Sequence, residues 1–345
     1  MSAPTQPFWQ KTEDWHTAGE PFRIVHELPP NTLNQGLTVS QQRLLITTTP
    51  SHPLDLLRQS LCHEPRGHAD MYGGFITPPD DTDANFGVLF FHKDGFSTAC
   101  GHGTIALGYW AIAHGIVEVK PGGTADVVID VPSGRVTARA TFDTDGAVMH
   151  MDFINVSSYQ ISSGDVISID LSGETTSLTM DLSFAGAVYA CVDAADLSLR
   201  VEPSRHQTFI DIARQIKAQR AGFLFQDKYD IYGVCFFENQ GESADAVMQK
   251  NVVVFADGQI DRSPCGSGTC ARLAVLLAEG RVSKGKPLVH ESIVGSTFEA
   301  YVMETEDRKP FPSCVPRVRG TARLVGKMEF YIDPTDPIYP GFLLR

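Results

Sequence analysis

The sequence has little that would tie it to nucleic acid, to a membrane or to secretion. It contains no long run of Lys and Arg, and its formal net charge is −13, whereas nucleic-acid binding depends on clustered positive charge. No stretch approaches the roughly 20 apolar residues that a membrane-spanning helix needs. Residues 1–10 are too polar for a secretory signal. We therefore expect a cytoplasmic protein that binds neither nucleic acid nor a membrane.

The chain also lacks the cysteine and histidine spacings of a metal site. None of the seven cysteines forms a C-x-x-C pair, so neither a zinc ribbon nor a redox dithiol is indicated. The group His63, Glu64, His68 and Asp70 matches no helical zinc motif and is better explained as loop residues or as support for a nearby site. No Lys lies in a recognisable pyridoxal-phosphate context. We therefore expect no metal and no cofactor.

Short β-type runs dominate the chain, which favours an α+β fold over a regular alternation of strands and helices. The apolar spacing over residues 208–221 predicts a helix, and two more are predicted after Cys100 and after Cys265. Ser158–Ser177 is rich in Ser, Gly and Asp, and is expected to be a domain crossing or a surface loop. The predicted strands cover residues 87–92, 125–130, 136–141, 251–255 and 328–332.

Two distant segments share the pattern C-G-x-G-T-x-A, namely Cys100-Gly-His-Gly-Thr-Ile-Ala106 and Cys265-Gly-Ser-Gly-Thr-Cys-Ala271. Each is followed at the same offset by a Gly-x-Val, which is Gly115-Ile-Val117 in the first copy and Gly280-Arg-Val282 in the second. An Asp-Gly turn signal lies between the preceding strand and each cysteine. These repeats predict two related halves, each with a strand, a glycine-rich turn and a helix, and with a cysteine just before the helix.

A thiol in this position has a definite chemistry. The positive end of the helix dipole favours the thiolate, and the glycines let backbone N–H groups approach a carboxylate closely. If the two halves face one another, one thiolate can remove the α-proton of a bound amino acid while the other thiol protonates the opposite face. This arrangement suits inversion at carbon better than acyl transfer, which needs one nucleophile, a His base and an oxyanion hole.

At these residues the sequence resembles the proline racemase family, within the wider diaminopimelate-epimerase-like fold. The likeness covers most of the chain, and its most specific part is the Asp-Arg-Ser-Pro-Cys-Gly run. It is carried by Asp14-Trp-His-Thr-Ala-Gly-Glu-Pro21, Pro65-Arg-Gly-His-Ala-Asp-Met-Tyr-Gly73, Ala99-Cys-Gly-His102, Asp261-Arg-Ser-Pro-Cys-Gly-Ser-Gly268, Glu291-Ser-Ile-Val-Gly295 and Asp336-Pro-Ile-Tyr-Pro-Gly-Phe-Leu-Leu344.

The resemblance implies two pseudo-symmetric α+β domains, each a curved, mostly antiparallel sheet wrapped around a central helix, with the active site in the cleft between them. We assign residues 1–157 and 330–345 to the half that carries Cys100, and residues 158–329 to the half that carries Cys265. The resemblance also implies that no cofactor is used. The assembly state is open, with a homodimer as one option.

Carried over by motif, Cys100 and Cys265 would be the acid/base pair. The backbone of Gly101 and His102 and that of Gly266 and Ser267 would hold the substrate carboxylate. The side chains of His102 and Asp261 would contact the ring nitrogen of the substrate.

The family has three main outcomes: racemisation of proline, 2-epimerisation of 4-hydroxyproline and dehydration of trans-3-hydroxy-L-proline. In the dehydratases the second cysteine position is typically Thr, so Cys265 favours inversion of proline or hydroxyproline. Segments such as Glu64–Gly73 resemble the dehydratase branch, and Ala185-Gly-Ala187 departs from the usual Gly-Gly, so the ring substituent stays open. The alternatives are the dehydratase, a non-catalytic imino-acid-binding protein and a single-cysteine hydrolase.

Overall fold

The computed structural model describes residues 5–171 and 173–344, which form two compact units. The first unit contains the described residues up to Thr17, Pro21–Met151 and the described residues from Thr321 onward. The second contains Ala18–Glu20 and the described part of Asp152–Gly320. The sequence places the corresponding boundaries after residues 157 and 329. No helix within the described ranges is long and apolar enough to cross a bilayer.

Strands outnumber helices in both units, which confirms the α+β class. In chain order, the elements up to the end of the first repeat are β1 (Phe8–Thr17), β2 (Glu20–Val25), α1 (Val39–Thr48), α2 (Pro53–Cys62), β3 (Tyr72–Thr77), β4 (Phe86–His92), β5 (Gly95–Phe96), α3 (Gly101–Ala113), β6 (Thr124–Val131), β7 (Gly134–Phe142) and β8 (Val148–Ile154). The remaining elements are β9 (Ser158–Leu171), β10 (Glu174–Phe184), β11 (Val188–Asp193), α4 (His206–Gln219), β12 (Ile231–Glu242), β13 (Val247–Phe255), β14 (Gln259–Ile260), α5 (Gly266–Ala278), β15 (Leu288–Ser292), β16 (Thr297–Glu306), β17 (Ser313–Gly320) and β18 (Ala322–Ile332).

The strand pairings repeat from one unit to the other. In the first unit, β2 runs parallel to β3, β3 antiparallel to β4, β4 parallel to β6, and β6 antiparallel to β7. In the second unit, β11, β12, β13, β15 and β16 pair in the same succession of directions. The short strands β5 and β14 form equivalent hairpins with β4 and β13, at the two Asp-Gly turns. The internal repeat predicted from the sequence is therefore a repeat of topology.

Each unit surrounds one helix with strands. In the second unit β16 pairs with β17, β17 with β9, β9 with β10 and β10 with β11, so the pairings close into a ring. Helix α5 contacts strands all round this ring, and α3 contacts β1, β6, β7 and β18 in the first unit. A helix that is enclosed in this way must be apolar on every side. Residues Gly266–Leu276 of α5 and Gly101–Gly108 of α3 are accordingly buried.

The predicted helix and strands are confirmed, although β13 begins at Val247 rather than at residue 251 and β18 at Ala322 rather than at residue 328. The helix expected over residues 208–221 is α4, and it buries Phe209, Ile212, Ala213 and Ile216 against the second unit's core. The prediction for Ser158–Ser177 is wrong, because Ser158–Leu171 forms β9 and the residues from Glu174 onward belong to β10. Their Ser and Asp residues lie mostly on the solvent side while Ile167 and Ile169 alternate into the core, so the polar composition hid an alternating strand pattern.

Gly115 and Gly280 end the two enclosed helices, with φ of +65° and +71°. An added Cβ would meet nothing within 4 Å at either position, so the cost of a side chain there is the left-handed backbone alone. We expect Gly115→Ala and Gly280→Ala each to lower the free energy of unfolding by about 1–2 kcal/mol in denaturant titrations. Asn tolerates this conformation, so Gly→Asn variants should lose less. Alanine variants as stable as the parent would contradict this.

Candidate active site

Cys100 is the N-cap of α3. Its Sγ accepts a hydrogen bond from the backbone N–H of Gly103 at 3.2 Å, and the side chain is buried. The Cys100 carbonyl accepts from the Thr104 hydroxyl at 2.8 Å and from the Thr104 N–H at 3.1 Å. The thiol therefore sits at the positive end of an enclosed helix, as the sequence predicts, and Gly101 is the first residue of that helix.

His102 lies beside this thiol, with its Nδ1 3.5 Å from the Cys100 Sγ. The ring is in edge-to-face contact with Phe22 and Tyr72 and donates a hydrogen bond to the Pro21 carbonyl. Burial lowers the pKa of His102 to about 3, so the imidazole is neutral at physiological pH. A neutral imidazole with so low a pKa is a poor proton acceptor for the thiol, which argues against a cysteine–histidine hydrolase pair.

Cys265 is the N-cap of α5, and its Sγ accepts from the Gly268 N–H at 3.3 Å. The two thiols differ in backbone, since Cys100 has an ordinary extended φ of −157° whereas the φ of Cys265 is +62°. A residue with a Cβ rarely adopts a positive φ, and such strain costs about 1–3 kcal/mol. Burial and the neighbouring carboxylate of Asp261 raise the pKa of Cys265 well above its usual value. Cys265 is therefore a neutral thiol when no substrate is bound.

Asp261 is buried next to Cys265. Its Oδ1 accepts from the Ser263 N–H at 2.8 Å and from the Ser263 hydroxyl at 2.7 Å, and the carboxyl group also bonds the Cys265 thiol. Burial raises the pKa of Asp261, while the hydrogen bonds from Ser263 oppose that rise. Cys265 contacts a buried acid, Asp261, whereas Cys100 contacts a neutral imidazole, His102. The electrostatic environments of the two thiols therefore differ.

Ser267 occupies in α5 the position that His102 occupies in α3, directly after Gly266. Its side chain is 1% exposed, and its Oγ has no hydrogen-bond partner among the described residues. A buried hydroxyl without a partner costs free energy unless something else binds it. A bound carboxylate at this helix N-terminus would supply that partner.

The structure thus places the predicted site residues in two groups, one in each unit: Cys100, Gly101 and His102, and Asp261, Cys265, Gly266 and Ser267. Sequence reasoning missed Ser263, which links Asp261 to the Cys265 backbone. It also missed the rings of Phe22 and Tyr72. Ser263 could have been found from its place in the Asp-Arg-Ser-Pro-Cys-Gly run, whereas the rings come from strands whose contacts no local motif encodes.

The other cysteines are buried, and none of the seven forms a disulfide. Burial raises the pKa of Cys62 and that of Cys314 to about 12, and it also raises the pKa of Cys270. These thiols behave as small apolar core residues. Within residues 5–171 and 173–344, no group of three or more His, Cys, Asp and Glu side chains has metal-binding geometry.

The second glycine of each motif offers a matched pair of variants. An added Cβ at Gly103 would lie 2.4 Å from the Phe22 ring and 2.8 Å from the Cys100 Sγ, whereas at Gly268 the nearest atom is 3.0 Å away. We expect Gly103→Ala to lower the free energy of unfolding by about 1–3 kcal/mol and to reduce turnover, because the ring and the thiol must move. Gly268→Ala should cause clearly smaller losses of both the free energy of unfolding and turnover. Equal losses would show that these contacts do not control the thiol.

Comparison with known proteins places this chain in a family. The family model described as proline racemase matches residues 13–343. The chain is 38% identical over 343 residues to a trans-3-hydroxy-L-proline dehydratase of Bacillus cereus, covering 96% of this chain and 97% of that protein. It is 35% identical over 337 residues to a proline racemase of Clostridioides difficile, with 96% and 97% covered.

Solved structures share the fold. A hydroxyproline epimerase from Agrobacterium vitis, crystallised with trans-4-hydroxy-L-proline, matches with a TM-score of 0.86 at 24% identity, covering 97% of this chain and 96% of that one. The family model, the curated relatives and the shared fold all agree. The chain therefore belongs to the proline racemase family.

Proposed function

We propose that this protein is a cofactor-independent two-base racemase or epimerase that inverts the α-carbon of proline or a hydroxyproline. In this proposal Cys100 and Cys265 act on opposite faces of one substrate. One sulfur removes the α-proton as thiolate, and the other delivers a proton as thiol. The observation that carries the proposal is the repeated thiol cap, one on each enclosed helix.

The substrate carboxylate would bind to backbone N–H groups at the two helix N-termini, those of Gly101 and His102 and those of Gly266 and Ser267. The unpartnered Ser267 hydroxyl supports a ligand at this end of α5. The neutral His102 and the buried Asp261 would contact the ring nitrogen, with Asp261 opposing its positive charge. Hydrogen bonds to the carboxylate in a dry site would stabilise the negative charge that develops as the α-proton leaves.

Inversion needs a proton donor on the far face, and Cys265 supplies one in this proposal. Its raised pKa supports that role, since a neutral thiol can donate a proton.

The second candidate reaction is dehydration of trans-3-hydroxy-L-proline. It is favoured by one observation, the 38% identity to a relative named for that reaction. Elimination of the 3-hydroxyl group needs no proton on the opposite face, so it would leave Cys265 without its proposed role.

A substrate panel tests the proposal. Purified protein is incubated in D2O with L-proline, trans-4-hydroxy-L-proline and trans-3-hydroxy-L-proline, and the α-proton is followed by NMR. Inversion predicts deuterium at the α-carbon and a new stereoisomer from at least one of the first two compounds. Loss of the third compound with an o-aminobenzaldehyde-reactive imine would identify the dehydratase. Tight binding without exchange at any α-carbon would identify a binding protein and overturn the proposal.

A further inference from the structure

The peptide group that joins Pro264 to Cys265 is held by hydrogen bonds on both of its sides. Its carbonyl oxygen accepts from the side-chain amide of Asn251 at 2.7 Å and from the Thr269 hydroxyl at 2.9 Å. Its N–H donates to the Ser263 hydroxyl at 3.0 Å. Asn251, Ser263 and Thr269 are each fully buried. Three bonds from buried groups therefore fix the plane of this one peptide.

The equivalent threonine of the first motif makes a different bond. Thr104 donates to the carbonyl of Cys100 itself, at 2.8 Å, whereas Thr269 donates to the carbonyl of the residue before the cysteine. The acceptor of the threonine hydroxyl is thus one residue earlier in the second motif. The backbone angles of the two cysteines differ as well, with φ of −157° at Cys100 and +62° at Cys265. The Cys265 carbonyl, on the other side of the Cα, accepts from the Thr269 N–H at 2.8 Å. Because φ is the rotation about the N–Cα bond between these two held groups, fixing the Pro264–Cys265 peptide plane also fixes the direction in which the Cys265 side chain leaves the backbone.

We propose that Asn251 and Thr269 are positioning residues, which hold the strained Cys265 backbone so that its thiol is aimed at the substrate α-carbon. The inference rests on the proposed function and assigns to these residues the task of pre-organising one of the two bases. Without them the peptide could rotate and relieve the positive φ, and the Sγ would move away from the reacting carbon. A displacement of about 1 Å at a reacting group can cost about 100-fold in rate.

His290 forms a hydrogen bond with the Thr269 hydroxyl. Its Nδ1 lies 2.9 Å from the Thr269 Oγ1, and the ring is fully buried on β15. The threonine has one hydroxyl proton, which goes to the Pro264 carbonyl, so His290 must donate its Nδ1–H to the threonine oxygen. The Nε2 then carries only a lone pair, and it has no hydrogen-bond partner among the described residues. Burial and the nearby Arg272 lower the pKa of His290 to about 3, which keeps the ring neutral.

The test measures the exchange of each substrate enantiomer's α-proton separately, with a matched threonine in each half. In Cys100→Ser only Cys265 remains, so the enantiomer that still exchanges its α-proton in this variant is the one that Cys265 deprotonates. Because inversion in either direction uses both sulfurs, the threonine variants are made in the two single-thiol proteins. Thr269→Val removes the hydroxyl and keeps the shape, and we expect it to slow exchange by Cys265 in Cys100→Ser about 10- to 100-fold while exchange by Cys100 in Cys265→Ser is unchanged. Thr269→Ser keeps the hydroxyl and should restore most of the loss. Thr104→Val should affect neither enantiomer, because the Cys100 backbone is unstrained.

A merely structural role for Thr269 would slow both enantiomers together and would not depend on the hydroxyl. Equal loss for both enantiomers, or none for either, overturns the inference. If Thr269→Val does not fold, Asn251→Leu makes the same comparison, since it removes the other donor to the Pro264 carbonyl. The proposed function fails separately, through absence of exchange in the parental protein or through an unchanged Cys265→Ser variant.

Discussion

Cys265→Ser and Cys100→Ser are each expected to reduce the rate of inversion at least about 10³-fold, which is the largest effect the account predicts. A serine hydroxyl is far less acidic than a thiol, so it can neither hold the thiolate's negative charge nor donate a proton as readily. Circular dichroism or optical rotation of the substrate would follow the loss. Both variants must be compared at equal folded fraction, which thermal unfolding establishes.

The control for this prediction lies on the same helix. Cys270 is fully buried on α5, in the motif copy that contains Cys265. Cys270→Ala removes a sulfur from the same helix without touching the proposed chemistry, so it should retain turnover close to that of the parent and lose only some stability. A single-cysteine hydrolase predicts a different pattern, in which one serine variant stays fully active. Full activity in either variant would refute the two-base assignment.

Asp261→Asn is expected to change two properties of the site in opposite directions. The Asp261 carboxylate is one cause of the raised pKa of Cys265, so its replacement by a neutral amide should lower that pKa. A lower pKa means more thiolate at a given pH, and Cys265 should therefore react faster with iodoacetamide at one fixed, mildly alkaline pH. Turnover should nevertheless fall by about 10²- to 10³-fold, because the substrate's charged nitrogen loses a buried partner.

Peptide mapping by mass spectrometry separates alkylation of Cys265 from that of the other cysteines. Asp257 provides the control, since it lies at the β13–β14 turn with a side chain that is 65% exposed. Asp257→Asn should alter neither the alkylation rate nor turnover. Slower alkylation in Asp261→Asn would mean that the carboxylate does not act on the Cys265 thiol.

Much of the architecture follows from local sequence patterns. The paired motifs and the distant Gly115 and Gly280 predict two equivalent helices, because a glycine at that offset can end a helix in the left-handed conformation. The Asp-Gly signals predict the turns that precede both cysteines. Ser158–Ser177 shows where composition misleads, since the strand pattern there depends on which side of the chain is buried.

The site is predictable only in part. Its motif residues are contiguous, so the sequence predicts Cys100, His102, Asp261 and Cys265 as site residues without knowledge of the fold. Asn251 and His290 come from two other strands and reach the Cys265 turn only because β13 runs parallel to β15 beside α5. The positive φ of Cys265 occurs within that tertiary network, and no propensity of cysteine predicts it.

The two-base mechanism requires two sulfurs that act on opposite faces of one carbon, and enantiomer-resolved exchange in D2O tests this most directly. With one thiol removed, the other can still take the α-proton of its own enantiomer and return a deuteron to the same face. We predict that Cys100→Ser exchanges one enantiomer and Cys265→Ser exchanges the other, neither with inversion. Exchange of the same enantiomer by both variants, or of both enantiomers by either one, would contradict the two-base mechanism.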